Sequence, residues 1–270
     1  MKFRLNITAV GITSEKDVKI NLKNSKDYRK ATWGLARYPP CAIVGGGTSV
    51  KKKLTRLRKW QGHIYAINDT AGYLSDNGIR CRLFAIDGTK IPFKIGPLVI
   101  GALLATRVNK VQYKMFKKKD IRTFPMMEDD MKNGIEGGPT AVCRTPHLMI
   151  KMGYSKIEYF GCEGSFFAQS HVGGNRSDAK NNMIIVRVKG MDYLTNAAFM
   201  LQNQYLSGVL REYPKIYHDN SGGLLQKMMR YPDDWEVVAV TDDIKRQHEE
   251  QGSKIFTKPF DLTENPLWMG

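Results

Sequence analysis

Residues 41–49 read CAIVGGGTS, four apolar residues that stop at three glycines and two hydroxyl side chains. A short apolar run that ends in glycine is typical of a strand buried on both faces. Glycine also lets the following turn bring backbone N–H groups close to a ligand. Residues 50–60 are basic, with leucines on one side at helical spacing. The stretch therefore predicts a strand, a glycine turn and a helix.

The same pattern recurs along the chain. Further candidate strands at 63–67, 81–86, 156–160 and 215–217 each end at small or polar residues. Segments with helical periodicity separate them, and strands that alternate with helices predict βαβ units. We therefore expect an α/β protein of the Rossmann-like class, with a mainly parallel sheet and helices on both faces. Residues 18–22 show a mild strand pattern.

Composition limits the class of protein. Lysine and arginine number 42 against 26 acidic residues, a net charge of +16. This excess predicts attraction to phosphates, nucleic acid or anionic surfaces, and a solvated basic surface is the alternative. The four cysteines form no CxxC pair, which argues against a zinc knuckle or a disulfide framework. No apolar run reaches the length of a membrane span. A cytoplasmic protein without a membrane span is therefore expected.

Five strand ends carry small or polar clusters, and the carboxyl ends of parallel strands form the ligand crevice of an open α/β sheet. The candidate contacts to a nucleotide donor are Gly45, Gly46, Gly47, Thr48, Ser49, Asn68, Asp87, Gly137, Gly138, Asn220 and Ser221. The first turn is neither a Walker A motif nor GxGxxG, which disfavours P-loop ATP hydrolysis and NAD-type hydride transfer.

Each of these contacts has a structural alternative. The glycine turn is also compatible with tight-turn geometry alone. Asn68 would bind a ribose hydroxyl or a base edge, or would cap the following helix. Asp87 would bind a hydroxyl or a divalent cation and is the one candidate metal ligand, or it is an ordinary turn aspartate.

His171 is the candidate general base, because imidazole titrates near neutrality and can take a proton from an acceptor hydroxyl. A surface histidine is the alternative. Glu163 is the second candidate catalytic residue, which would orient the base or a metal; its alternative is a partner of nearby N–H groups. His63 and His147 fall in a predicted strand and a predicted helix and are interpreted as structural.

The string IVGGGTSV at 43–50 resembles the hydrophobic G-x-G-P-S-L turn that opens two related groups of proteins. These are the bacterial sialyltransferases with one Rossmann-like domain and the 6-hydroxymethylpterin pyrophosphokinase-like family, which includes flagellin-glycosylating motility accessory factors. AINDT at 66–70 is similar to the A-x-N element of the family, and Asp87 ends the next strand. Thr48 stands where the family carries proline.

Two later segments continue the resemblance. Residues 137–163 are similar to S-G … A-x-x-L-G-y-k-e-I-y-L-x-G-x-D, with Glu163 in place of the aspartate and no hydroxyl before the glycines. His171 stands where pyrophosphokinase-like members carry a histidine. Residues 216–224 resemble the late strand and N-S element beside the nucleotide.

The resemblance implies a transferase with a nucleotide-activated donor, with glycosyl transfer to a hydroxyl acceptor as the favoured reaction. Net charge keeps nucleic acid as one acceptor. The alternatives are a pyrophosphokinase-like enzyme, which would need ATP and Mg²⁺, and a non-catalytic nucleotide- or nucleic-acid-binding protein. No other cofactor and no oligomeric state are predicted.

The chain is divided into three predicted parts. An N-terminal extension covers 1–38, the donor-binding domain covers 39–240, and a C-terminal helix and tail cover 241–270. Prolines at positions 39 and 40 mark the first boundary. Within the domain, residues 106–135 are crowded with lysine and arginine, and we interpret them as a basic insertion or an edge hairpin.

Overall fold

The computed structural model describes residues 14–34, 38–166 and 183–240. The strands in these ranges are β1 (Cys41–Val44), β2 (His63–Ile67), β3 (Cys81–Ala85), β4 (Val99–Ala105), β5 (Ile121–Phe124), β6 (Ile157–Phe160), β7 (Met183–Val188), β8 (Met191–Asn196), β9 (Tyr217–Asp219) and β10 (Trp235–Val240). Seven of them form one sheet in the order β5-β4-β3-β2-β1-β6-β9, and every neighbouring pair in it is parallel. The predicted α/β class with a parallel sheet is confirmed.

Helices connect these strands. The described α-helices are α1 (Glu15–Ser25), α2 (Leu54–Arg58), α3 (Thr70–Asp76), α4 (Lys110–Tyr113), α5 (Ala141–Met152), α6 (Ala197–Glu212) and α7 (Gly223–Arg230). Short 3-10 helices cover Thr48–Lys53 and Lys118–Asp120. The first of them runs directly into α2. None of the described helices is both long and apolar enough to cross a membrane.

The sheet is covered on both faces. Strand β1 is fully buried, which explains why it carries no polar residue. On one face, the ring of Phe160 in β6 lies 5.9 Å from that of Trp60, which follows α2. On the other face, the Tyr159 hydroxyl lies 3.1 Å from the Thr145 hydroxyl of α5. Successive strand residues point to opposite faces, so α2 and α5 lie on opposite sides, as the fold class requires.

The order in which strands are added across the sheet reverses at β1. Strands β1 to β5 step outward in sequence order, and β6 then returns to the other side of β1. In the register, Cys41 pairs with His63 of β2 on one side and with Ile157 of β6 on the other. A reversal of strand order opens a crevice at the carboxyl ends of the two strands concerned. This crevice between β1 and β6 is where a ligand site is expected.

A smaller antiparallel sheet, in the order β10-β7-β8, stands apart from the parallel one. Its apolar side packs on α6 and α7 in a second core cluster of Ile184, Val186, Val188, Met200, Leu224, Met228 and Val237. The Phe166 N–H donates to the Leu194 carbonyl over 2.7 Å, which joins this sheet to the loop that follows β6.

Two interpretations of the sequence are wrong. Residues 18–22 lie in α1 and not in a strand; Ser14 caps this helix by accepting the Asp17 N–H. Residues 106–135 are not an edge hairpin, because β5 pairs in parallel with β4 and a hairpin pairs antiparallel. This segment instead supplies an edge strand of the main sheet.

The N-terminal segment packs on the central sheet. The Ala31 N–H donates to the Thr123 carbonyl of β5 over 2.7 Å, and the Thr123 N–H donates to the Arg29 carbonyl over 2.8 Å. Tyr38 forms an isolated bridge with Tyr154. Residues 29–31 therefore extend the sheet beyond β5. The predicted C-terminal helix and tail at 241–270 lie outside the described residues.

Candidate functional site

The glycine turn after β1 packs directly on the loop that follows β6. The Gly45 N–H donates to the Phe160 carbonyl over 2.8 Å, and the Gly47 N–H donates to the Gly161 carbonyl over 2.9 Å. A Cβ added at Gly45 would overlap the Gly161 carbonyl oxygen. This close approach of two backbones accounts for the glycine at position 45, which is the structural alternative that the sequence left open. Gly46 and Thr48 are half-buried beside it.

The side chain of Glu163 lies at the start of the 3-10 helix Thr48–Lys53, which follows this turn. Its carboxylate accepts the Ser49 N–H over 2.9 Å and the Ser49 hydroxyl over 2.8 Å. A Cβ at Gly47 would overlap that carboxylate. Anions are stabilised at helix N-termini, so Glu163 fills the position in which a donor phosphate would bind Ser49. Ser49, which the sequence predicts as a donor contact, is here bonded to a carboxylate of the protein itself.

The same contacts give Glu163 a structural role. The residue is only 1% exposed. It holds the glycine turn against the β6 loop, as the structural alternative for this residue requires, and its catalytic role stays a prediction. A Cβ at Gly223 would lie 2.6 Å from the Glu163 Cβ, so the start of α7 closes its other side.

Asp219, the last residue of β9, was not among the predicted site residues. Burial raises the pKa of the Asp219 carboxyl. The N–H groups of Ser221 and Gly222 and the charge of Lys53 lower it, but the effect of burial is larger. Burial also raises the pKa of Glu163, and the Asp219 charge adds to this effect. Two carboxyl groups with raised pKa values therefore lie close together at the crevice. The signal in the sequence was the polar cluster that follows β9, of which Asp219 is the first member.

Asn220 and Ser221 make contacts within the protein. The Asn220 amide donates to Glu158 over 3.0 Å, and its oxygen accepts from Arg56 over 2.7 Å. The Ser221 hydroxyl accepts the Cys162 N–H over 2.9 Å. Both side chains thus tie the β9 end to β6 and α2, and their predicted contact with the donor stays a prediction.

Asn68 and Asp87 are brought together at the ends of β2 and β3. The Asn68 amide donates to the Asp87 carboxylate over 2.7 Å. Asn68 has a left-handed backbone, with φ of 51°. Its side-chain oxygen is buried and accepts no hydrogen bond from any residue that the structure describes. Asp69, not Asn68, is the N-cap residue of α3, so the capping alternative for Asn68 is wrong.

Gly137 and Gly138 lie against the first turn of α5. A Cβ at Gly137 would lie 2.6 Å from the Cys143 carbonyl oxygen, and one at Gly138 would lie 3.1 Å from the Cys143 sulfur. The hydroxyl of Thr140, the N-cap residue of α5, donates to Gln202 over 2.7 Å. The buried Gln202 amide in turn donates to the Cys162 carbonyl over 3.5 Å, so the start of α5 is linked to the crevice. The sequence offered no signal for Gln202.

His171 lies outside the described residues. Within them, no group of three or more histidine, cysteine, aspartate or glutamate side chains is arranged to hold a metal ion. The carboxylate of Asp87, the candidate metal ligand, accepts a hydrogen bond from the Asn68 amide.

The two basic stretches lie at different places. Lys51, Lys52 and Lys53 continue from the glycine turn, and Lys53 is close enough to Asp219 to lower its pKa. The second stretch precedes β5, at the edge of the sheet opposite to β9. Only the first is beside the crevice.

The loops after β6, β1, β2 and β3 follow one another along the edge of the sheet. Neighbouring strands are about 4.8 Å apart, so this row is roughly 14 Å long. It joins the Glu163–Asp219 pair at one end to the Asn68–Asp87 pair at the other. The arrangement suits an elongated ligand with polar groups at both ends.

Comparison of the chain with models of protein families, with curated proteins and with solved structures gives no match.

Proposed function

We propose that this chain is a transferase that binds a nucleotide-activated donor across the carboxyl ends of β6, β1, β2 and β3. Glycosyl transfer to a hydroxyl acceptor is the reaction proposed. One observation carries the proposal, the buried Asn68 oxygen that accepts no hydrogen bond from the described residues. Leaving such an acceptor without a partner costs about 1–3 kcal/mol, a cost that a bound donor group removes.

The chemistry of the missing partner follows from the orientation of the amide. Asp87 accepts from the Asn68 NH₂ group, so the amide oxygen is turned away from the carboxylate. An ionised carboxylate only accepts hydrogen bonds, which fixes this orientation. The ligand must therefore offer an N–H or O–H group to Asn68. A ribose hydroxyl or the amino group of a base provides it.

The donor phosphates need positive charge at the other part of the crevice. Glu163 already satisfies Ser49, so the phosphates are not placed on that residue. Lys52 and Lys53 lie in the last turn of the 3-10 helix that begins at Thr48, and together with Lys51 they supply the charge that a phosphate needs. The excess of basic residues in the chain fits such a ligand.

In the proposed reaction, the acceptor oxygen attacks the anomeric carbon of the donor sugar. The bond from this carbon to the phosphate oxygen breaks, and the nucleotide leaves with the electron pair. His171 takes the proton of the acceptor hydroxyl, the role that the sequence gives it. Lysines beside the crevice stabilise the negative charge that develops on the leaving phosphate.

The test is nucleotide binding by wild type, by Asn68→Gly and by the control Asn77→Gly. Glycine tolerates the left-handed backbone of position 68, so the first variant removes the side chain without straining the fold. Asn77 is matched because it is an asparagine at the other end of α3, where its side chain bonds only the Tyr73 carbonyl among the described residues.

A panel of nucleotides and nucleotide sugars is screened by thermal shift, and binders are measured by calorimetry. A ligand at 100 times its dissociation constant adds about 2.7 kcal/mol of stability. We expect Asn68→Gly to bind the best ligand about tenfold more weakly and Asn77→Gly to bind it as wild type does. The proposal fails if no member of the panel binds wild type, or if Asn68→Gly keeps the wild-type affinity.

Metal dependence separates glycosyl transfer from a pyrophosphokinase-like reaction. Transfer of a pyrophosphoryl group from ATP needs Mg²⁺ to neutralise the phosphates. We expect turnover of the donor to survive excess chelator. Strict dependence on Mg²⁺ with release of AMP would contradict glycosyl transfer and favour the pyrophosphokinase.

A further inference from the structure

A cavity of about 260 Å³ lies at the opposite ends of the strands from the crevice. His63 at the start of β2 and Arg82 near the start of β3 line it, and Tyr154, which follows α5, closes one side. Ala31 and Tyr38 of the N-terminal segment form another wall. Because residues 29–31 pair with β5, the segment that covers the cavity is held in place by the sheet itself.

The lining of the cavity is positively charged. Arg82, Lys119 and Arg122 line it, and Asp120 is the single acid among the described lining residues. None of the three cations forms an ion pair with an acid in the described part of the chain. Among the described residues, Arg122 donates to two carbonyl oxygens, those of Lys119 and Ile121, at 2.8 and 3.0 Å. Like charges held around one cavity favour an anion between them.

Neutral hydrogen-bonding groups complete the lining. The Tyr154 hydroxyl lies 2.9 Å from that of Tyr65 and is hydrogen-bonded to Nδ1 of His63. Burial raises the pKa of both phenols, so they remain protonated. Burial and the nearby Arg82 charge lower the pKa of His63, which leaves the imidazole neutral near pH 7. The phenols and the imidazole therefore add no negative charge to the cavity.

The sheet is irregular where it borders the cavity. Cys81 pairs with Val99 but Leu83 pairs with Ala102, so β4 carries one extra residue opposite Arg82. The backbone comes close here, since a Cβ at Gly101 would lie 2.5 Å from the Asp120 carbonyl oxygen. A bulge of this kind redirects side chains and is common beside binding sites.

From the cavity, its unpaired cations and the adjacent bulge, we infer that this site binds a small phosphate-bearing molecule. Arg82, Lys119 and Arg122 are the anion-binding groups, since guanidinium groups recognise phosphate through paired N–H donors. The Tyr65 and Tyr154 hydroxyls add further polar contacts. The volume lies below the range of about 300–1,000 Å³ that drug-sized ligands fill, which limits the ligand to a small phosphomonoester.

Calorimetry with inorganic phosphate and with glycerol phosphate tests the site. The proteins are wild type, Arg82→Met, Arg122→Met and the control Arg230→Met. The control removes the same charge from an exposed position at the end of α7. We expect saturable binding to wild type and to the control, and binding about tenfold weaker in each cavity variant. Arg82→Lys keeps the charge and should retain more affinity than Arg82→Met.

The protonation of His63 is a second readout, because an anion beside an imidazole favours its charged form. We expect saturation with the phosphomonoester to raise the His63 pKa measured by NMR in wild type. The inference is overturned if neither phosphate compound binds wild type saturably, if both cavity variants bind as wild type does, or if the His63 pKa is unchanged at saturation. Asn68→Gly serves to separate this site from the crevice, since it should bind glycerol phosphate as wild type does.

Discussion

The Asn68 amide nitrogen lies 2.7 Å from the Asp87 carboxylate, and this bond joins the ends of two neighbouring strands. It holds in one orientation an amide whose buried oxygen has no donor in the described residues. Asp87 thus positions the group that we assign to the nucleotide.

Replacing Asp87 with alanine should release the Asn68 amide. We expect the affinity for the nucleotide to fall by about tenfold, because the amide oxygen is no longer preoriented. Calorimetry with the best ligand of the panel measures the change. Asp76→Ala is the control, since it removes an exposed carboxylate at the end of α3. Equal losses in the two variants would contradict the role of Asp87.

The contact of Gly47 with Glu163 makes a prediction about stability. A methyl group at position 47 would overlap the Glu163 carboxylate and displace it from Ser49. We expect Gly47→Ala to lower the free energy of unfolding by roughly 1–3 kcal/mol in urea denaturation. Glu163→Ala removes the group that is displaced, so the double variant should lose less than the sum of the two single losses. If the two losses add strictly, the overlap with the Glu163 carboxylate is not the reason that position 47 needs glycine.

The raised pKa values of Glu163 and Asp219 predict a dependence of stability on pH. Between the ordinary pKa values of 4.5 and 3.8 and the raised values of the folded state, the folded protein holds protons on these groups that the unfolded chain has released. Their contribution is fully present below the ordinary values and is lost as pH rises through the folded values. Urea unfolding of wild type from about pH 4 to about pH 8 should show this loss. Glu163→Gln and Asp219→Asn should each flatten the dependence of the free energy of unfolding on pH. If both variants show the wild-type slope, the two carboxyl groups are not its source.

The position of the lysines beside the crevice bears on the acceptor. If the acceptor is nucleic acid, charge reversal in Lys52→Glu should weaken its binding and flatten the dependence of affinity on salt. Lys117→Glu makes the same charge change beside β5, at the distant edge of the sheet, and should have the smaller effect. Binding titrations across a salt series measure both slopes. Equal effects would indicate a general basic surface and would remove the argument for a nucleic acid acceptor.

The sequence predicted β1, β2, β3 and β6, but it did not identify β4, which reads VIGALLA and is almost wholly buried. Strand β1 is a continuous apolar run, and β2, β3 and β6 are mostly apolar with one polar or charged residue each; all four end at turn residues, as in a covered parallel sheet. Strand β5 reads IRTF at an edge of the sheet, where polar residues are tolerated, and its pattern is too short and mixed to identify. Helix α1 was missed because it is mostly polar, although Ser14 with Glu15 and Asp17 forms a start signal.

The sequence located the candidate site residues at the ends of strands, but it did not predict which residues they bond to. Asn68 and Asp87 follow apolar runs, so the rule for strand ends located them. Their hydrogen bond depends on the register between β2 and β3, which the sequence does not reveal. The bonds from Ser49 to Glu163 join residues 114 positions apart, and only the reversal of strand order brings them together. For the same reason the sequence predicted a phosphate contact where the protein supplies its own carboxylate.

The strand order also has a consequence for how the chain is synthesised. Strands β1 to β5 can pair as soon as they leave the ribosome, but β6, the second neighbour of β1, follows more than a hundred residues after it. Until then the wholly apolar β1 has one unsatisfied edge, and an open edge of this kind pairs readily with other chains. Synthesis at about 5–20 residues per second keeps that edge exposed for several seconds. Nascent chains truncated before Ile157 should therefore depend on chaperones that full-length chains no longer need.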